Sequence, residues 1–179
     1  MAPGKKILGE ERRQLILEWL KTSGEPLTGG ELANRSNVSR QVIVNDITLL
    51  KARNEPIIAT SQGYYYFASP APEQWFERAV ACIHKPQDTE NELNILVDLG
   101  VLVKDVRIEH PVYGDLTASV MVSNRKEAAQ FVQRINETNA SYLSQLTDGV
   151  HLHTIAAKEK QTLDEAEAAL KQAGFLLSE

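Results

Sequence analysis

Thr147-Asp148-Gly149-Val150-His151-Leu152-His153-Thr154 sets the reading of the whole chain. Two histidines stand two apart, interleaved with Val150 and Leu152, and Ile155 follows. On a β-strand, residues two apart point to the same face. Both imidazoles would then project together, spaced so that one ion could bridge them. A pair alone is a weak signal, because surface strands carry such pairs by chance. Its weight depends on whether other ligands reach the same place.

Working outward, the segments around this strand alternate in type. Trp75 to Ile83 reads as a strand that ends at His84. Pro86 permits a helix start, and Asp88, Thr89 and Glu90 crowd its first turn as the helix dipole prefers. That helix carries Leu93, Leu96 and Val97 and stops at Gly100. Val101 to His110 alternates as a strand, His110 to Asp115 forms a turn, and Leu116 to Val122 is a second strand. Asn124 caps a helix from Arg125 to about Asn136. Thr138 to Leu146 reads as irregular, Gly149 to Ala157 as the fourth strand, and Thr162 to Ala173 as a last helix. The order β-α-β-β-α-β-α matches a ferredoxin-like plan with one added helix. In that plan strand four lies antiparallel beside strand one, so His84 is expected beside His151 and His153. Three imidazoles with one carboxylate suit a divalent transition metal such as Zn, Ni or Fe. The carboxylate is sought on the helix after His84, where Glu92 competes with Glu90 and Asp88. The alternative is that these histidines only hydrogen-bond to backbone at a sheet edge. His110, before Pro111 in a turn, reads equally as a turn stabiliser and as a ligand contact.

Ahead of this region the pattern differs. Glu10 to Thr22 is helical, with Leu15, Ile16, Trp19 and Leu20 at helical spacing. Thr28 and Glu31 match a capping box. A short helix with Leu32 and Ala33 follows, and Asn37 supplies a tight turn. Ser39 is expected to cap a third helix through Ile43, Ile47 and Leu50 to about Arg53. Pro56 to Ala59 and Tyr64 to Phe67 then flank the tip Thr60-Ser61-Gln62-Gly63 as a hairpin. Helix, helix, turn, helix, hairpin resembles a winged helix-turn-helix. In such a unit the third helix enters the major groove by its N-terminal end. Ser39, Arg40, Gln41 and Asn45 are the candidate base readers, since Arg grips guanine and Gln or Asn grips adenine. Thr28 and the wing residues Ser61 and Gln62 are candidate backbone contacts. No Arg or Lys lies between Arg53 and Arg78, so the wing offers a polar rather than a charged grip. A weakly basic module of this size needs two copies for specific binding. Protein contact through the winged helix is the competing use.

Composition sets the bounds. The 179 residues suffice for one medium domain or two small ones, with 42% apolar and 24% charged residues. Net charge is −5, which argues against indiscriminate nucleic-acid binding. Residues 1–70 carry nine Lys/Arg against seven Asp/Glu, a net +2, and residues 71–179 carry ten against seventeen, a net −7. That asymmetry points to two domains with different partners. Ala68-Ser69-Pro70-Ala71-Pro72 marks the boundary: a DNA-binding domain at 1–68, a Pro-rich linker at 69–72 and a regulatory domain at 73–179. No apolar run approaches a membrane span and no secretory signal precedes the first helix. The single cysteine, Cys82, fits an inert thiol in a reducing cytoplasm. The expected class is therefore α+β, a winged helix-turn-helix followed by a ferredoxin-like domain.

His84-Lys85-Pro86, Val97-Asp98-Leu99-Gly100, Glu109-His110-Pro111-Val112-Tyr113-Gly114 and Gly149-Val150-His151-Leu152-His153-Thr154 resemble the three-histidine domain of bacterial niacin-responsive transcriptional repressors. The front half resembles their winged-helix domain, so the likeness spans roughly residues 11–177. The resemblance implies a cytoplasmic homodimer that binds double-stranded operator DNA at NAD-biosynthesis or niacin-uptake genes, with nicotinic acid as co-repressor. It places the metal on His84, Glu92, His151 and His153, and makes His110 and Tyr113 candidate ligand contacts. A metal-responsive regulator is the neighbouring reading. A metal-dependent hydrolase with a DNA-binding appendage is the remote one.

Overall fold

The computed structural model describes residues 8–67 and 75–177. The linker expected at 69–72, and the domain limits at 68 and 73, lie outside the described residues. The chain divides into two compact units, split between residues 70 and 71.

In the first unit, α1 (Gly9–Ser23), α2 (Gly29–Ser36) and α3 (Arg40–Ala52) precede a hairpin of β1 (Ile57–Thr60) and β2 (Gly63–Tyr66). The capping box forms at α2: Thr28 Oγ1 accepts from the Glu31 amide at 3.1 Å, and the Thr28 amide donates to Glu31 Oε2 at 2.7 Å. Asn37 takes a left-handed conformation, φ 52°, and turns the chain from α2 toward α3. Ser39 occupies the N-cap position of α3, but its side chain makes no capping bond, so that expected cap is corrected. Ile16, Leu20, Leu32, Ile43, Ile47, Leu50 and Ile57 form the core. Leu27 exchanges two backbone hydrogen bonds with Tyr64, at 2.8 and 2.9 Å, which fixes the wing against the α2 entry. A Cβ at Gly63 would lie 2.6 Å from the Leu27 carbonyl oxygen, so only glycine permits this approach.

A charged link crosses this core. Arg12 of α1 meets Asp46 of α3 through Nε–Oδ2 at 2.6 Å and Nη2–Oδ1 at 3.3 Å, and Arg13 adds Nη1–Oδ1 at 3.2 Å. Arg12 and Asp46 are 7% and 2% exposed. Sequence periodicity treats both as surface residues, and it misses this pair.

The second unit carries β3 (Phe76–Ile83), α4 (Thr89–Asp98), β4 (Leu102–His110), β5 (Gly114–Val122), α5 (Arg125–Thr138), β6 (Val150–Ala157) and α6 (Lys160–Gln172). Short 3-10 turns, Pro86–Asp88 and Leu143–Thr147, precede α4 and β6. The latter lies in a stretch that the sequence leaves irregular. The α+β class and the element order stand. The last strand does lie antiparallel beside the first, but the sheet runs β3-β6-β4-β5 with every pairing antiparallel. A ferredoxin-like plan would leave the last strand at an edge. Here β6 is inserted between β3 and β4. At its end Ile155, Ala156 and Ala157 are buried at three successive positions, so both faces of this interior strand are covered there. α4 packs on β4, α5 on β5 and α6 on β3 and β6. The core between includes Val80, Cys82, Leu93, Leu96, Val103, Val122, Ile155 and Leu170.

Removing one partner of a buried ion pair strands the other charge, at about 3–5 kcal/mol. Asp46→Ala is therefore expected to lower the unfolding free energy of the first unit by an amount in that range, seen as a lower urea midpoint by circular dichroism. An unchanged midpoint would show that the pair is not what joins α1 to α3.

Candidate metal centre and nucleic-acid interface

The strand β6 puts His151 and His153 on the helix side of the sheet, opposite Cys82 and Val80 of β3. His84 follows β3 directly. It is brought beside His151 by Gly149, whose φ is +94°. A Cβ there would sit 2.4 Å from the His84 carbonyl oxygen. Glycine at 149 is thus what lets the two strand ends close up, with the His84 amide donating to the Gly149 carbonyl at 3.4 Å. From the other side, α4 delivers Glu92. Its buried stripe is Thr89, Glu92, Leu93, Leu96 and Val97, so the carboxylate shares a face with the residues that pack on the sheet.

All three imidazoles present Nε2 to this one carboxylate. The distances to Glu92 Oε2 are 2.7 Å from His84, 3.4 Å from His151 and 3.2 Å from His153. The four side chains are 1–5% exposed. Each Nδ1 is held by a backbone carbonyl: His84 by Lys85 at 2.9 Å, His151 by Gly149 at 2.8 Å and His153 by Asp105 at 2.6 Å. A carbonyl only accepts, so Nδ1 must carry the proton. In the neutral ring Nε2 is then a bare lone pair. Three lone pairs and a carboxylate converge in a buried pocket, an arrangement that repels itself unless a cation sits among them. Glu92 Oε1, 3.3 Å from His151 Nε2, makes no hydrogen bond among the described residues. An orphaned carboxylate oxygen and three aligned imidazole nitrogens fit a divalent transition metal.

The electrostatics agree. Burial alone would raise the Glu92 pKa, but the three histidines outweigh it and hold the carboxyl well below its usual range. Burial likewise works against charge on His84 and His153, and the Glu92 anion overcomes it, raising both above the ordinary imidazole value. The buried anion demands positive charge, which protons or a metal ion can supply. The two compete for the same nitrogens, so metal affinity falls as pH falls. Cys82, fully buried, lies in the same cluster: donor atoms of Cys82, Glu92 and His151 are within 4.8 Å of one another. Burial and then the Glu92 charge push its thiol far above the ordinary range, so it stays protonated unless a metal takes the proton's place. Sequence reading treats Cys82 as packing alone. Its register opposite His151 is the signal that could have placed it here.

A cavity of about 30 Å³ adjoins the cluster, walled by Thr89, Val106, Val120, Phe131, Tyr142 and Ser144 together with His84, Glu92, His151 and His153. Glu90 and Asp88 do not line it. Neither, within one chain, do His110 and Tyr113, the candidate ligand contacts. His110 Nδ1 accepts from the Val112 and Tyr113 amides at 3.2 and 3.3 Å, and its ring stacks on Tyr113 at 4.9 Å. In a single chain His110 therefore stabilises the β4–β5 hairpin, and Tyr113 is exposed beside it.

In the first unit, Ser39, Arg40, Gln41 and Asn45 are all exposed along the N-terminal half of α3. Gln41 Nε2 donates to Asn45 Oδ1 at 3.3 Å, which presents the two amides as one surface. Arg40 is exposed and lies over Gly29, with its Cγ and Nε each 3.4 Å from where a Cβ at Gly29 would stand. Ser61 and Gln62 form the hairpin tip and hydrogen-bond to each other at 3.1 Å. Thr28 differs from the rest, because its hydroxyl already serves the capping box.

The described residues include no helix long and apolar enough to cross a membrane. Residues 12–65 match a family model described as an HTH domain, and residues 77–179 match one described as a 3H domain. The chain is 59% identical over 175 residues to the transcription repressor NadR of Bacillus subtilis, covering 97% of each chain. It is 37% identical over 174 residues to a probable transcription repressor, NiaR, of Thermotoga maritima, covering 97% of this chain and 98% of that one. A helix-turn-helix that exposes its third helix, a domain of converging histidines and two repressors matched end to end lead to one conclusion: the chain belongs to the family of niacin-responsive transcription repressors.

Proposed function

We propose that this repressor is gated by nicotinic acid, carries one divalent transition metal on His84, Glu92, His151 and His153, and grips operator DNA as a homodimer at genes of NAD biosynthesis or niacin uptake. Family membership makes the chain a DNA-binding transcription repressor and sets the hydrolase reading aside. The observation that carries the metal is the triple tether of Nδ1 to backbone carbonyls, which leaves three Nε2 lone pairs facing Glu92. A bound ion would supply positive charge and a coordination position for a carboxylate or a pyridine nitrogen. The chain supplies the rest: the histidines hold their orientation, Glu92 balances charge, and Phe131, Val106 and Val120 offer apolar surface to an aromatic ring.

The cavity bounds the mechanism. At about 30 Å³ it has room for a water or two, far below the ~300 Å³ at which ligand pockets begin. A pyridine ring can enter only if a wall moves. The wall at Tyr142 to Ser144 leads into the 3-10 turn Leu143–Thr147 and on to Gly149, which is bonded to the Ser144 carbonyl at 2.8 Å. Effector binding would thus be coupled to displacement of this segment. It shifts operator affinity only if the displaced arrangement favours one spacing of the two recognition helices. The small cavity also favours a second reading, in which the metal ion itself is the signal.

Operator binding by the purified protein should strengthen about tenfold or more with saturating nicotinate, a typical allosteric coupling. No change would remove the co-repressor role, and a response to metal add-back alone would favour the metal sensor. Elemental analysis should find one divalent ion per chain, lost in His151→Ala/His153→Ala and released as the pH is lowered. Equal metal content in the double variant would contradict the site. Arg40→Ala should weaken operator binding by about 1–3 kcal/mol without lowering the melting temperature. Unaltered affinity in a gel-shift series would take Arg40 off the reading face.

A further inference from the structure

Beside the histidine cluster, among the described residues, the Thr89 hydroxyl is buried and unused. Thr89 opens α4 and is 7% exposed, and its Oγ1 is buried without a hydrogen-bond partner among the described residues. It lines the cavity that holds His84, Glu92, His151 and His153. The nearest backbone acceptors in sequence serve other donors, and none bonds the Thr89 hydroxyl. The Lys85 carbonyl takes both His84 Nδ1 and the Asp88 amide, and the Pro86 carbonyl takes the Thr89 amide. An unsatisfied buried hydroxyl is a standing cost, and folded proteins keep few of them. Valine would fill the same volume without it. Across the cavity Phe131, Val106 and Val120 are apolar and offer the hydroxyl nothing to bond.

We propose that Thr89 is the polar anchor of the effector site. Its hydroxyl donates to a lone pair of a flat aromatic acid, whose ring lies against Phe131, Val106 and Val120. The assignment rests on the nicotinate-responsive reading above and adds to it the residue that fixes the ligand's orientation. Thr89 stands three residues before Glu92 on the same helical face. Anchor and carboxylate therefore move as one body. A ligand held by Thr89 is placed against the cluster without any rearrangement of α4, and the strain falls on the wall at Tyr142 to Ser144.

The test is a calorimetric titration of the metal-loaded full chain with nicotinate, for wild type, Thr89→Val, Thr89→Ser and Thr89→Ala. Metal content and the melting temperature without nicotinate are measured for each. Thr89→Val should bind nicotinate about tenfold or more weakly, the size of a lost hydrogen bond to a charged or strongly polar acceptor. Thr89→Ser should stay close to wild type. Metal content should be the same throughout, and Thr89→Val should melt no lower than wild type because it removes an unsatisfied group. Thr89→Ala, also weakened, decides the matter should valine not fit. Wild-type affinity in both Thr89→Val and Thr89→Ala would overturn the anchor while leaving the co-repressor reading standing. Lost metal or a lower melting temperature in Thr89→Val, together with wild-type nicotinate affinity in Thr89→Ala, would make Thr89 a structural residue instead. Wild-type protein that holds metal yet takes no nicotinate would overturn both.

Discussion

Three hydrogen bonds from imidazole to main chain decide what the second unit can do. Lys85, Gly149 and Asp105 each offer a carbonyl to Nδ1 of one histidine, and each thereby fixes both the tautomer and the plane of a ring. The price is a buried concentration of lone pairs around Glu92. Packing alone gives no reason to build it, since apolar side chains of similar size would fill the space at less cost. The arrangement becomes favourable once a cation is present. An ion bound at the proposed site would add its binding free energy to the stability of this unit.

The rest of the unit serves to hold those carbonyls in place. Gly149 lets the ends of β3 and β6 close to a distance that no Cβ would tolerate. The irregularity in β4 between Val103 and Arg107 turns the Asp105 carbonyl toward His153, while Asp105 Oδ1 accepts from the Thr154 amide at 2.9 Å. Asp105 thus holds the strand twice, once by its backbone and once by its side chain. On the face of β6 that Glu92 of α4 covers, His151 and His153 are buried from solvent. The cavity wall from Tyr142 to Ser144 is built from a short turn rather than from strand or long helix. A part with few regular hydrogen bonds is where local opening is cheapest.

Much of this is legible in the residues alone, and the limits are physical. The period-two spacing of His151 and His153 survives any choice of neighbours, because it depends only on the strand itself. Bringing His84 to them required only that the last strand run antiparallel beside the first, which holds even though the strand order departs from the ferredoxin-like plan. Glu92 could not be separated from Glu90 by helical phase, since both keep step with apolar residues of α4; the resemblance made that choice. The carbonyl tethers carry no side-chain signature at all, so no sequence pattern announces them. The same applies to the Arg12–Asp46 link, where two ordinary surface residues are buried against each other across 34 positions. Thr89 reads as a helix-start residue, and only its missing partner marks it as something else.

The first unit asks less of its residues. Its core is helical and apolar, its third helix is exposed where bases would be read, and its wing is polar. Whatever specificity it has comes from a few side chains, which the proposed dimer would use twice. On the proposed reading, regulation comes from the histidine domain and depends on its cation. The most direct measurement is a crystal structure of the protein loaded with a divalent ion, with the ion located by its anomalous scattering. The account predicts a single peak about 2.0–2.2 Å from Nε2 of His84, His151 and His153 and from a Glu92 oxygen. A peak bound through Nδ1, or an ion found elsewhere with these four side chains still bonded only to one another, would contradict it.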